Sequence, residues 1–191
     1  FILSAAVPAR EDMGVIVRHH RLERAPRLDL LAADHQRQVA ALTGMEVANA
    51  SQYDGSTGTA EAIRLACAVT KRSHALVGRS VHPEYRQVLA TYLKNEGVTV
   101  EEIPFAPDGT LDRTALKRAL NDKTACVVAG YPNFFGIVED LTDVAHSAHG
   151  VGALLITSTP EPLALGAFKS SMVTWSPRSV SRSGFEAAPD V

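Results

Sequence analysis

Apolar and polar positions along this chain alternate between a helical period and a strand period. Between Arg27 and Leu42 the apolar residues Leu28, Leu31, Val39 and Leu42 sit among Ala, Gln and Arg in a helical pattern that stops at Gly44. The Ala- and Leu-rich segment Ala60–Val69 predicts a second helix, with Ser56 and Thr57 placed to cap its first amides. The short apolar run His74–Gly78 predicts a strand, and Pro83 marks the first turn of a helix that runs to Asn95 and halts at Gly97. Val98–Ile103 alternates at period two, as a strand does. Pro104, Pro107 and Gly109 then break the chain before Asp112, which is placed to cap a helix over Arg113–Leu120. Thr124–Ala129 is apolar almost throughout, which fits a strand covered on both faces. Asp140 precedes a helix in which Leu141, Val144, Ala145 and Ala148 fall at i, i+3, i+4 and i+7, and Gly150 ends it. Gly152–Thr157 supplies one more buried strand.

Strands separated by single helices need crossover connections, and right-handed crossovers return each strand parallel to the last. The pattern therefore predicts an α/β fold: three layers around an open, mainly parallel sheet of about four strands. Bare sheet edges expose unpaired backbone, so further strands or a partner chain are expected to cover them. From Ser170 onward the Ser- and Arg-rich residues follow neither period, and residues 170–191 receive no element.

Composition narrows the class. The chain has 191 residues, 46% of them apolar, and a formal charge of -2, which suits one ordinary domain with a real core. The near balance of acids and bases builds no field to gather nucleic acid or an anionic membrane, and no run of about 18 apolar residues is long enough to span a bilayer. A soluble, intracellular protein is expected. Cys67 and Cys126 each lie in apolar stretches without paired-ligand or redox spacing, and read as small core hydrophobes. The chain opens on Phe1 without the basic start of a secretory signal, and is expected to be a fragment of something longer.

Open α/β sheets bind ligands in the loops at the carboxyl ends of their strands, and polar clusters stand in such places here. The first runs from Asn49 to Thr59, where hydroxyls, glycines and a helix start either cradle a phosphate or carboxylate or serve only as cap and turn. His82, at a strand end before a helix, either contacts a flat ligand or caps that helix. In Tyr131–Asp140 a central strand ends in a turn with Asn133 and two Phe residues, which either form a binding surface or fold back onto the core. His146 and His149 share a helix face with no third ligand at a metal spacing, so no metal site is expected. Gly-x-Ser-x-Gly, Gly-x-Gly-x-x-Gly and Walker-type motifs are all missing, which disfavours nucleophile hydrolases, dinucleotide enzymes and P-loop enzymes.

The order and wording of three segments carry a family resemblance. These are Leu42-Thr-Gly-Met-Glu-Val-Ala-Asn-Ala-Ser-Gln-Tyr-Asp-Gly55, Val81-His-Pro-Glu-Tyr-Arg86 and Tyr131-Pro-Asn-Phe-Phe-Gly-Ile-Val-Glu-Asp140. Over about Arg27 to Lys169 the chain resembles the alpha subunits (subunit 1) of glycine dehydrogenase (decarboxylating), the P-protein family of the glycine cleavage system. The resemblance implies the aspartate-aminotransferase-like fold of type I pyridoxal phosphate (PLP) enzymes, here as part of the large domain. It implies a cytoplasmic heterotetramer in which a beta subunit holds PLP on a lysine, glycine is decarboxylated, and the aminomethyl group passes to the lipoylated H-protein.

None of Lys71, Lys94, Lys117, Lys123 and Lys169 stands in the His-Lys setting of the catalytic chain. They read as solvated, and this chain alone is expected to be inactive. The resemblance places Asn49, Ser51, Tyr53, Asp54, His82, Tyr131 and Asn133 at the active-site wall or subunit interface, with no catalytic residue in the chain itself. Two other readings stand beside it: a non-catalytic interaction or stabilising domain of the same fold, and a self-sufficient PLP transferase, which would need its own lysine. Residues 1–26 match the family poorly. In Leu3-Ser-Ala-Ala-Val-Pro-Ala-Arg-Glu-Asp-Met-Gly14, alanines and arginine stand where the family has tyrosines and glutamine, so substrate contacts from that segment are not expected. Residues 27–169 form the expected domain, and the tail 170–191 is expected to be a reading-frame artefact.

Overall fold

The computed structural model describes residues 2–5, 34, 36–41, 43, 52–161 and 163–164. Its strands are β1 (Ile2–Ala5), β2 (His74–Gly78), β3 (Thr99–Ile103), β4 (Thr124–Gly130) and β5 (Leu154–Thr159). Its long helices are α1 (Gly55–Thr70), α2 (Pro83–Leu93), α3 (Arg113–Ala119) and α4 (Thr142–Gly150). Residues 36–41 are helical, inside the first helix that the sequence predicts. Residues 6–33, the tail 170–191 and Lys169 lie outside the described residues.

The sheet order is β1-β5-β4-β2-β3. β2 pairs parallel with both β3 and β4, and β4 pairs parallel with β5. β1 is antiparallel to β5, with Ile2 opposite Thr159, and covers an edge that the sequence left bare. At the other edge, β3 buries only Ile103 fully and turns Glu101 and Glu102 outward. Charges on an edge discourage further pairing.

Strand alternation divides the core into two layers. Ala75, Val77, Cys126, Val128 and Ile156 meet Ile63 and Ala66 of α1 and Leu89 and Leu93 of α2 on one face. Leu76, Val127 and Ala129 meet Leu116 of α3 and Val144 and Ala148 of α4 on the other. All seven residues of β4 are buried, as its continuous apolar run predicts. Cys126 belongs to the first layer and Cys67 packs half-buried against it, so both behave as core hydrophobes.

Several helix boundaries follow their predicted signals. Pro83 is the first residue of α2, and the Asp112 carboxylate accepts from the amides of Thr114 and Ala115. Asp140 accepts from the Thr142 amide at 2.9 Å, although the cap position itself is Leu141. α1 is a correction: it starts at Gly55, five residues before Ala60, and its cap is Asp54 rather than Ser56 or Thr57. The Asp54 carboxylate accepts from the Thr57 amide at 2.7 Å while Thr57 Oγ1 accepts from the Asp54 amide at 3.2 Å. This reciprocal capping box holds the two glycines in the first turn despite their poor helix propensity.

Candidate active-site crevice

Chain order creates a crevice between β2 and β4. From β2 the chain crosses by α2 to β3 on one side, then returns by α3 on the opposite face to β4 on the other side of β2. At such a switch point the loops after neighbouring strands diverge and leave an opening at their carboxyl ends. The opening is lined by Val81, His82 and Tyr85 after β2, by Pro132, Asn133 and Phe134 after β4, and by the end of β5 at Ser158 and Pro160. Its volume is about 230 Å³.

Backbone hydrogen bonds lock the three strand ends together. The Phe134 amide donates to the Ser80 carbonyl at 2.7 Å, and the Tyr131 amide donates to the Ser158 carbonyl at 2.9 Å. Tyr131–Pro132 is a cis peptide bond. Gly130 permits this closeness, because a Cβ there would lie 2.9 Å from Asn133 Cα and 3.3 Å from the Ser80 oxygen.

His82 occupies the cap of α2, and its Nδ1 accepts from the Glu84 amide at 3.3 Å. In the neutral ring this bond leaves the proton on Nε2. The rings of Phe134 and His82 meet in a T-shaped arrangement at 5.0 Å and 89°, and Tyr85 lies tilted against His82 at 5.2 Å. The aromatic contacts continue outward from Phe134 to Phe135 and Phe105, with the Arg79 guanidinium 5.9 Å from the Phe105 ring centre. Phe134 and Phe135 stay about half exposed, so they do not fold back into the core. Burial, then the charge of Asp54, then that of Glu84, pushes the Tyr85 phenol up. Burial and Asp140 do the same to Tyr131. Both phenols therefore keep their protons at neutral pH.

The residues singled out from sequence are placed unevenly. His82 and Asn133 line the crevice, whereas Tyr131, between the lining residues Gly130 and Pro132, is buried in the core layer with Leu116 and Val144; Asp54 is near enough to act on Tyr85. Tyr53 is 94% exposed just ahead of α1. Asn49 and Ser51 lie outside the described residues. Within the described part of Asn49–Thr59 the helix start is capped by Asp54, which accepts from Ser56 Oγ, the Thr57 amide and Thr57 Oγ1. These bonds, the Thr57 amide first, hold the Asp54 carboxyl below its ordinary range. The described lysines do not approach the crevice. Lys71, Lys94 and Lys123 are exposed ahead of β2, β3 and β4, at the opposite end of the sheet, and Lys117 is exposed on α3. Among the described residues no group of three or more His, Cys, Asp or Glu is placed to hold a metal ion.

Sequence reasoning missed Glu139 and Arg113. The Glu139 side chain is 3% exposed and 2.6 Å from the Arg113 guanidinium. It also accepts from the Leu111 amide at 3.0 Å and from Asn133 Nδ2 at 3.0 Å. The only signal for it was its place in the Tyr131–Asp140 motif.

Comparison with known proteins supplies a context for this geometry. Residues 27–173 match the family described as "Glycine cleavage system P-protein". The chain is 52% identical over 137 residues to a probable glycine dehydrogenase (decarboxylating) subunit 1 of Geotalea uraniireducens, covering 72% of this chain and 30% of that one. It is 48% identical over 128 residues to the corresponding protein of Anaeromyxobacter dehalogenans, covering 67% and 29%. A crystal structure of glycine decarboxylase (P-protein) of the glycine cleavage system, in inhibitor-bound form, matches with TM-score 0.70 and 37% identity over 78% of this chain and 33% of that one. The chain thus spans about a third or less of the length of each of these proteins.

Proposed function

Because the chain belongs to the glycine cleavage system P-protein family and has the fold of type I PLP enzymes, we propose that it forms part of an alpha-type subunit walling a shared glycine-decarboxylating site. In this reading a beta-type subunit carries the PLP lysine, and the assembled enzyme passes the aminomethyl group to lipoylated H-protein. The observation that carries the reading is the crevice between β2 and β4: it presents His82, Tyr85 and Phe134 but no described lysine. Its volume of about 230 Å³ is below the roughly 300–1,000 Å³ of complete ligand pockets. The chain spans about a third of its relatives' length, so the remainder of the subunit and a second chain would complete the site.

The described residues offer no covalent anchor for PLP. An imine-forming lysine needs a desolvated amine, whereas Lys71, Lys94, Lys117 and Lys123 are all exposed and away from the crevice. PLP held by the partner would supply the electron sink for decarboxylation. This chain's contribution is to exclude water with Phe134 and Tyr85 and to hold the His82 ring in a fixed orientation through its cap bond to the Glu84 amide. No helix among the described residues is long and apolar enough to cross a membrane.

The test is co-expression with a beta-type subunit and measurement of glycine-dependent exchange of labelled bicarbonate. Exchange is expected from the assembled pair and not from either chain alone. A stable complex without exchange would instead support a purely stabilising domain of the same fold.

A further inference from the structure

Two buried polar side chains beneath the aromatic loop, Asn133 of the crevice lining and Glu139 behind it, determine where the crevice wall stands. Asn133 is 5% exposed, and both ends of its amide are fully used. Its Oδ1 accepts from the amides of Phe135 at 2.9 Å and Ile137 at 3.1 Å. Its Nδ2 donates to the Gly109 carbonyl at 2.9 Å and to Glu139 Oε1 at 3.0 Å. Two donors and two acceptors are all that a carboxamide has, so none is left for a ligand. Glu139 in turn uses Oε2 to accept from the Leu111 amide and from Arg113, whose guanidinium also donates to the carbonyls of Leu111 and Asp140.

From this network we infer that Glu139 and Asn133, anchored by Arg113, are positioning residues that set Phe134 against His82 in the crevice. The inference rests on the proposed role of that crevice as half of a shared site. The path is short. Glu139 fixes the Asn133 side chain; Asn133 fixes the turn over Phe135 and Ile137; and that turn carries Phe134, whose amide reaches back to Ser80 beside His82. Gly109 and Gly136, at φ of 82° and 79°, give the bends that bring the two loops together. A buried carboxylate is costly to desolvate, so a surface role would not call for one at this position.

Glu139→Gln tests the inference with almost no change of shape. Its new NH2 group must face either the Leu111 amide and Arg113 or the NH2 of Asn133, so a donor meets a donor in both orientations. The full chain in complex with the beta-type subunit is examined by amide hydrogen exchange. The amides of Phe134, Phe135 and Ile137 are expected to exchange roughly tenfold faster or more, while Val127 in β4 keeps wild-type protection and shows that the core is folded. Arg113→Gln, a milder loss of the same anchor, is expected to act in the same direction. The second arm is a double-mutant cycle in bicarbonate exchange with Phe134→Leu. Each single variant is expected to lower kcat/KM roughly tenfold, and the double variant to add little to the larger single loss. Unchanged exchange at all three amides, or losses that multiply independently, would overturn the inference. If the wild-type complex itself shows no bicarbonate exchange, the functional reading fails while the amide data still decide whether the network positions the loop.

Discussion

A single methyl group at Gly130 should separate backbone closeness from backbone flexibility as the reason for glycine there. The residue ends β4 with no positive φ, so alanine meets no dihedral strain. What it meets is packing: the added carbon would sit 2.9 Å from Asn133 Cα, 3.3 Å from Asn133 Cβ and 3.3 Å from the Ser80 oxygen. Ordinary carbon contacts lie at about 3.5–4.0 Å, so the backbone on one side must retreat by roughly half an ångström or more. Asn133 is held by four side-chain hydrogen bonds and cannot retreat freely. Overpacking of this kind costs about 1–3 kcal/mol, and the rigid neighbours place Gly130→Ala near the upper end. Gly97→Ala has open space but a φ of 71°, so it should cost only about 1 kcal/mol. Gly150→Ala has neither obstacle at the end of α4 and should be neutral or stabilising by about 0.5–1 kcal/mol. Urea denaturation followed by circular dichroism orders the three. With a slope of about 1–3 kcal/mol/M, a loss near 3 kcal/mol moves the midpoint by about 1–3 M. A Gly130→Ala variant within about 0.5 kcal/mol of wild type, or less destabilised than Gly97→Ala, would refute the packing argument.

Other outcomes follow from the same geometry. The Asp54 and Asp108 carboxyls are both held below their ordinary value of 3.8 by hydrogen bonds, from Thr57 and Thr110 respectively. Their stabilisation is present above about that value and lost as pH falls through the lower folded-state pKa, so Asp54→Ala should flatten the acid limb of a stability profile. Burial, with Cys67 second, pushes the Cys126 thiol up, and a thiol reagent near neutral pH should label half-buried Cys67 before Cys126, which reacts only on unfolding. Equal labelling rates in the native protein would contradict that. Arg72 donates to the carbonyls of Thr124 and Val151 at 2.8 Å each, tying the start of β4 to the end of α4. Arg72→Met should cost about 2–3 kcal/mol in a denaturation midpoint, and a loss below about 0.5 kcal/mol would show that water replaces both bonds.

What was legible in the sequence depended on how local the cause was. β2 and β4 are buried on both faces, so their apolar runs carry the whole signal, and β2 begins and ends where the pattern places it. Proline at the head of α2 and Asp112 before α3 act within one turn and were readable for the same reason. α1 was read short because Gly55 and Gly58 argue against helix on propensity alone, and the reciprocal Asp54–Thr57 bonds that outweigh them depend on geometry. β1 is a four-residue run whose strand character comes from the edge of β5, more than 150 residues away in the chain. At the crevice, His82 and the aromatic loop announced themselves by residue type. Glu139 did not, because a lone glutamate reads as a solvated charge until Arg113, 26 residues earlier, is folded against it.

The claim at the centre of this account is that the amine holding PLP belongs to a second chain. Borohydride reduction of the assembled, PLP-loaded enzyme followed by peptide mapping tests it most directly, since reduction fixes the coenzyme to whichever lysine carries it. A single phosphopyridoxyl-lysine is expected on the beta-type chain and none on this one; the label on Lys71, Lys94, Lys117, Lys123 or Lys169 would contradict a coenzyme held by the partner.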